Sequence, residues 1–419
     1  MSGIVIEHNT NGVFIIQIFV NSGPIFEGRG QRGLAHFLEH MMFKSKKDQS
    51  VASLLLNLNS LGGVFNAVTT KDYTSFYIRT IEKNWKESLV LLKKIVLEPS
   101  FLKEELDKER KVIIEEYKQY QDDIKDIVFT QAYRLFLAKD NPISRTVKGE
   151  LRDIQRTSIK TLREYYLERY KNIFIYVNCS ADIHPSVERK IQKLYKADFG
   201  NPSISCPIQC LKLRVYDQPV VKIMQDLKRS QNATVIMFQG FPYDDKQNII
   251  LEFVWNVLAG SLNSLLMLEM RQKRGLVYSI SSFIDSFQHC GYTGIYFNTS
   301  TKDLCVVLKY IWKIFLRLSS NGLSDNVLNY SKASFANKLE YNLANLDFKS
   351  GRSMLRHYYG CKWDETCVLK KMRKVTNADV KSVCKEVFNV NRCCIVSVGK
   401  YDDAADVEKN VRRTLTGLL

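Results

Sequence analysis

The stretch of this chain with the most chemistry in it is Ala35-His36-Phe37-Leu38-Glu39-His40-Met41-Met42-Phe43. Two histidines stand four residues apart with a glutamate beside the second, the spacing H-x-x-E-H. On a helix, residues four apart sit one above the other, so His36 and His40 point the same way. Two imidazoles so placed can take two corners of a zinc tetrahedron. Glu39 lies beside His40 and one turn from His36, where it can accept a proton from a water. The rest of the run (Leu34, Ala35, Phe37, Leu38, Met41, Met42, Phe43) is apolar and reads as a largely buried helix. Clustered titratable groups in such a place are costly unless they are paired or bind a metal. The surroundings therefore argue against a chance match of solvated histidines.

Two histidines do not complete a catalytic zinc site. A third protein ligand is needed, with a fourth position left open, and it must come from a separate element. Glu109-Arg110-Lys111-Val112-Ile113-Ile114-Glu115-Glu116 lies in a helical stretch downstream. Glu109 and Glu116 are seven residues apart, two turns, and share a face with Val112 and Ile113. Glu115 points elsewhere and reads as solvated. Without the upstream histidines, all these acids would be ordinary helix-surface charges.

The elements that must position these residues follow from periodicity. Gly12 to Val20 reads as a strand before the motif helix. The helix Val51 to Leu61 ends at Gly62-Gly63, a stop signal. Val64 to Ile78 is rich in β-branched and aromatic residues and reads as β structure. Lys83 to Leu97 is an amphipathic helix, Lys103 to Leu137 a long helical region with a break, Ile159 to Tyr170 a helix and Ile173 to Val177 a closing strand. The second half repeats this order. Ala233 to Gln239 is a strand, and Gln247 to Ala259 and Leu262 to Arg274 are helices. Gly275 to Phe283 and Gly291 to Asn298 are strands. Lys302 to Leu318, Asp325 to Leu346 and Asn377 to Phe388 are helices, and Arg392 to Val398 is the last strand. Two halves of similar size and order suggest duplication. The expected division is a first domain over 1–205, a linker over 206–218 and a second domain over 219–419, which lacks the H-x-x-E-H motif.

Composition bounds the answer. A chain of 419 residues suits two domains, and 45% apolar with 25% charged residues is ordinary for a globular protein. No apolar run reaches the ~20 residues that span a bilayer. The first residues read as neither a secretory signal nor an Arg-rich transit helix. Ten cysteines are scattered through mostly apolar segments. Free thiols in the cytoplasm or another reducing compartment are the expectation. Cys206-x-x-x-Cys210 is a lone pair and carries no second metal site. The net charge of +17 admits nucleic acid or an anionic surface as a partner. The basic residues are dispersed, however, and no nucleic-acid-binding motif is present, so a specific nucleic-acid role is not expected.

With these residues in view, the chain resembles the pitrilysin/insulysin family of inverzincin metallopeptidases over nearly its whole length. The resemblance is to the half-size, two-domain members, such as mitochondrial processing peptidase β and bacterial zinc peptidases. It rests on four motifs in order: Gly33 to Lys44, Gly62-Gly63-x-x-Asn66-Ala67-x-Thr69-x-x-Asp72-x-Thr74, Glu109-Arg110-x-Val112-Ile113-x-x-Glu116, and Leu268 to Ser279. Asn141-Pro142 departs from the family's usual sequence there. The implied fold is α+β, two homologous α/β rolls, each an antiparallel-rich mixed sheet packed with helices, together one half of a clam-shell. The implied site has one zinc ion per chain on His36, His40 and Glu116, with Glu39 as general base and Glu109 steadying the ligands. Asn66 and Ala67 would contact the substrate backbone, and Arg271 and Tyr278 would stabilise the substrate carbonyl and the oxyanion. On their own, an Arg in a helix and a Tyr starting a strand would pass as structural.

The resemblance implies a metalloendopeptidase acting on unfolded peptides, self-sufficient because it holds both the zinc motif and the Arg/Tyr segment. It also implies a homodimer in which each copy's Arg271 and Tyr278 complete the other's site. The rival is a monomer whose second half serves its own zinc. Two other readings stay open: a catalytically silent scaffold of the same fold, and a binder of nucleic acid or an anionic surface.

Overall fold

The computed structural model describes residues 3–44, 46, 48–137, 141–171, 173–199, 218–229 and 231–417. They form two compact units, one of Met1–Gln121 with Pro142–Pro207, the other of Asp122–Asn141 with Ile208–Leu419. Most of the expected linker, residues 206–217, lies outside the described residues, as do Cys206 and Cys210.

Each unit is built on a five-stranded mixed sheet. In the first, the strands are β1 (Ile4–His8), β2 (Val13–Val20), β3 (Val64–Thr69), β4 (Thr74–Ile81) and β5 (Ile173–Cys179), in the order β1-β5-β2-β4-β3. β1 runs parallel to β5 and the other pairings are antiparallel. In the second, they are β6 (Val220–Gln225), β7 (Asn232–Gly240), β8 (Ile280–Ser286), β9 (Gly291–Thr299) and β10 (Cys394–Gly399), in the order β6-β10-β7-β9-β8. β6 is again the parallel partner, of β10. Strand for strand the two sheets have one topology, so the expected α+β fold of two homologous rolls is what the chain adopts.

The inner strands explain their own place. β5 is buried at every position and β2 at most of them, as strands covered on both faces must be. The Val64–Ile78 segment resolves into a β3–β4 hairpin, closed where Thr70 N donates to Tyr73 O at 2.8 Å. β3 is the edge of its sheet and pairs only with β4 among the described residues.

The helices of the first half that bear on function are α1 (Leu34–Met42), α2 (Val51–Ser60), α3 (Trp85–Leu97), α4 (Lys103–Asp122) and α5 (Ile124–Phe136). The long helical region expected over Lys103 to Leu137 breaks at Asp123. Its carboxylate accepts from Lys125 N and Asp126 N and so starts a new helix. α5 then packs within the second unit, where Phe129 lies 5.0 Å from the Phe283 ring and stacks at 5.9 Å on Tyr296. A division at residue 205 assigns α5 to the first domain, whereas its contacts group it with the second unit.

Two expected elements take a different form. The helix expected over Leu262 to Arg274 is a short turn at Leu265–Met267 followed by a wide turn at Leu268–Gln272. In that turn Lys273 N donates to Leu268 O, an i→i+5 bond, at 3.0 Å. The strand expected from Gly275 begins only at Ile280. Gly275 has a positive φ of 63°, and Leu276 is tied elsewhere, its N–H to Met270 O and its carbonyl to Thr299 Oγ1. No helix among the described residues is long and apolar enough to cross a membrane.

Candidate metal and catalytic site

α1 is anchored by its apolar residues. Leu34, Ala35, Phe37, Leu38, Met41 and Met42 are all buried, and each large side chain of this kind contributes roughly 1.5–3 kcal/mol. Its ends are held by buried charges of the sign that a helix dipole favours. At the start, the Glu27 carboxylate, 2% exposed, accepts from Gly33 N and Ala35 N at 2.9 Å each. Burial pushes its pKa up to about 7, against the pull of those two N–H groups and of Arg32 and Arg145. At the other end, Lys46 Nζ donates to Met42 O at 3.0 Å and to Ile95 O at 3.1 Å. Burial lowers that lysine's pKa to about 8.

The chain enters α1 through Gly33, at φ 96°, packed on Gly149, at φ 75°. A Cβ on Gly149 would come within 2.4 Å of Arg32 O and Gly33 Cα. Only two glycines allow this approach, and it fixes the 148–149 backbone against the first turn of the motif helix.

The histidines meet as the spacing requires. His36 Nε2 and His40 Nε2 are 3.2 Å apart. α4 brings its acidic face to them. Glu116 Oε2 lies 3.6 Å from His36 Nε2 and 3.8 Å from His40 Nε2. Ligand atoms about 2.0–2.1 Å from a tetrahedral zinc stand about 3.3–3.4 Å apart, so the three side chains fit that ion. One ligand atom from each lies within 4.8 Å of the other two.

The surroundings prepare the imidazoles for a cation. His40 Nδ1–H donates to Glu109 Oε1 at 2.7 Å, which leaves the Nε2 lone pair facing His36 and Glu116. Glu109 is 5% exposed and also pairs with Lys44 Nζ at 2.5 Å. Burial raises its pKa, but the hydrogen bonds from His40 and Lys44 outweigh that and hold the carboxyl below its usual range. His36 is 6% exposed. Burial, with His40 and Lys148 adjacent, holds its pKa far below the ordinary value, so the ring is neutral. Its Nδ1 is buried and has no partner among the described residues. Glu115, 65% exposed, pairs with Lys118 at 2.7 Å and stays out of the cluster.

Glu39 sits alongside, accepting a hydrogen bond from Thr69 Oγ1 at the end of β3. Burial raises its pKa, opposed by Thr69 and by the charges of His40 and Lys148. Further along β3, Asn66 is exposed and Ala67 buried, and Asn66 Oδ1 accepts from Ala67 N at 2.9 Å. In the second unit the wide turn carries Arg271, whose Cζ lies 4.9 Å from the centroid of the Tyr278 ring. This is a cation–π distance, and Tyr278 is 74% exposed. The expected Arg/Tyr pair is thus together, with its phenol in solvent.

Three contacts around α1 and the cluster were not legible in the sequence: Glu27 on the start of α1, Thr69 on Glu39, and Lys148. The Lys148 Nζ lies 3.1 Å from His36 Nε2 and 2.9 Å from Glu116 Oε2. All three are made across loops or sheet, which leave no periodic signal.

Comparison with known proteins adds a family. Residues 3–147 match the model described as insulinase, peptidase family M16, and residues 157–335 the one described as peptidase M16 inactive domain. An uncharacterized zinc protease of Bacillus subtilis, YmxG, is 25% identical over 351 residues, 84% of either chain. A second uncharacterized zinc protease, of Streptomyces coelicolor, is 24% identical over 378 residues, 88% of this chain and 82% of that one. Among solved structures, a protease from Helicobacter pylori shares the fold at a TM-score of 0.86 and 20% identity, covering 95% of this chain and 97% of that one. A peptidase M16 inactive domain from Pseudomonas fluorescens matches at 0.86 and 17%, covering 95% of each.

Proposed function

The chain belongs to peptidase family M16, the insulinase family, and from that premise we propose that it is a zinc-dependent endopeptidase cleaving unfolded peptides or short protein segments. The observation that carries the reading is the convergence of His36, His40 and Glu116 with a fourth side chain beside them, the Glu39 carboxylate, which is outside that ligand set and held by Thr69. An inert scaffold has no need to gather these titratable groups on an otherwise apolar, buried helix.

His36, His40 and Glu116 would hold one zinc ion, and Glu109 would orient His40 through its Nδ1–H. Bound there, zinc supplies Lewis acidity, enough to bring the pKa of a coordinated water to about 7. Glu39 would take the proton of the attacking water and return it to the leaving amine. Its buried setting and the Thr69 bond hold the carboxylate in one orientation for both transfers. The peptide would add as a further strand on the free edge of β3. Asn66 Oδ1 now covers the Ala67 N–H, and an incoming carbonyl would take that donor over. Pairing of this kind is between backbones, which fits low side-chain specificity. Arg271 and Tyr278 would stabilise the carbonyl and the oxyanion.

The test is zinc content together with cleavage of a random peptide library. We expect about one zinc per chain, loss of cleavage on chelation and return of cleavage with zinc. Cleavage that persists in zinc-free protein would falsify the reading, and a zinc-loaded protein that cleaves nothing would leave the silent scaffold. A second expectation concerns assembly. We propose a homodimer with composite sites, Arg271 and Tyr278 of one copy completing the zinc site of the other. A Glu39→Gln chain mixed with a Tyr278→Phe chain should then regain activity by forming one intact site per heterodimer. Exchanged mixtures no more active than the two variants alone would point to a monomer serving its own zinc.

A further inference from the structure

The three carboxylates around the histidines are not equally supplied with cations. Glu109 has Lys44, and neither of these groups is in the proposed ligand set. Glu116, which is in that set, has Lys148. The Lys148 ammonium bridges Glu116 Oε2 at 2.9 Å and His36 Nε2 at 3.1 Å. It therefore stands on two of the three atoms that a metal would need. Its backbone is not free to drift, because the Gly149–Gly33 contact pins that turn to the start of α1, and Lys148 O itself lies 3.2 Å from where a Gly33 Cβ would be.

The chemistry is exclusive. A neutral imidazole with its proton on Nδ1 has a single lone pair, on Nε2. That lone pair can accept an N–H from Lys148 or bind a metal, not both. A fixed positive charge beside the ligands also opposes an incoming dication. The side chain has an exit, since it is 30% exposed and ends in a flexible four-carbon stem.

We propose that Lys148 is the protein's own counter-cation for this site: it holds His36 and Glu116 together when no metal is bound, must be expelled for a metal to enter, and so sets the metal affinity. This rests on the zinc reading above. It makes Lys148 a positioning residue that favours the metal-free state, a role that neither the family models nor the four motifs assign.

The test measures zinc affinity by competition with a chromogenic chelator, and thermal melting with and without zinc, in the wild type, Lys148→Met and Lys148→Gln. Methionine keeps the length and removes the charge, and glutamine keeps polarity should methionine fold poorly. Both variants should bind zinc more tightly by about 10–100-fold, the range over which groups beside metal ligands act. Their metal-free forms should melt lower than the wild type, since Glu116 and His36 lose their cation. Their zinc-induced rise in Tm should therefore be larger. Lys44→Met, which touches Glu109 and not the ligands, should not tighten binding. Zinc affinity unchanged or weakened in both Lys148 variants overturns the inference and leaves the zinc reading intact. No zinc uptake by wild type or variants overturns both.

Discussion

Glu39→Gln should retain its zinc and lose about two to four orders of magnitude in kcat, the range that a positioned general base supplies. The substitution is nearly isosteric. The glutamine carbonyl can still accept the Thr69 hydroxyl that now bonds Glu39 Oε2, so the side chain should keep its place. None of the three proposed ligands is touched, so metal content should match the wild type. What disappears is the capacity to take a proton from water and to hand it to the amine. The loss should fall on kcat with KM little changed, because the peptide backbone is expected to dock on β3 rather than on this carboxylate. Metal content and single-turnover cleavage in the same preparation decide the matter. A Glu39→Gln protein that holds zinc and cleaves at the wild-type rate would remove Glu39 from the chemistry.

What the sequence revealed and what it hid separate along a physical line. His36 and His40 were readable because a helix converts a four-residue interval into a shared face, and the Nε2–Nε2 distance of 3.2 Å is that conversion made visible. Glu109 and Glu116 were readable for the same reason, two turns apart. Glu115, one residue away, went to solvent and Lys118. Local periodicity carried all of this. Glu27 was not readable, because a carboxylate seven residues before the first helical residue, Leu34, caps the helix only if the loop between them folds back. Lys148 was not readable, because it reaches His36 across 112 residues through a glycine contact. The wide turn at Leu268–Gln272 escaped for another reason. Its side-chain pattern is that of an α-helix, and only the i→i+5 bond distinguishes it. α5 escaped because a helix can leave its sequence neighbours and pack within the other unit, and its apolar stripe does not say against which sheet.

The site therefore has two layers with different origins. The ligand atoms are set by the intervals within α1 and α4. Around them stands a second set of contacts: Glu27 and Lys46 at the ends of α1, Lys44 on Glu109, Thr69 on Glu39, Lys148 on Glu116. A chain that kept the motif and lost these groups would still be recognised from its sequence, yet α1, Glu109 and Glu39 would lose the contacts that anchor them. Testing function in this family member thus requires substitutions in both layers.

Glutamine substitutions along α4 test the ligand layer and the group that orients it, and their ranking is the second large effect expected. Glu116→Gln replaces a carboxylate ligand by a neutral amide oxygen and removes the one anionic charge among the three ligands. Its zinc affinity should fall by more than the about 10–100-fold typical of losing an outer partner. Glu109→Gln should fall within that range. An amide can still accept from His40 Nδ1–H, but it is a weaker acceptor than the carboxylate 2.7 Å away, and it leaves Lys44 without its counter-charge. Glu115→Gln should leave zinc affinity unchanged, since it gives up only an exposed pair with Lys118, an interaction worth about 0–1 kcal/mol to stability. Chelator competition on the three proteins gives the ranking directly. The decisive comparison is between neighbours. Glu115 and Glu116 are adjacent in sequence and about 100° apart around the helix, so a metal lost from Glu115→Gln and kept by Glu116→Gln would mean that α4 meets the histidines one residue out of register.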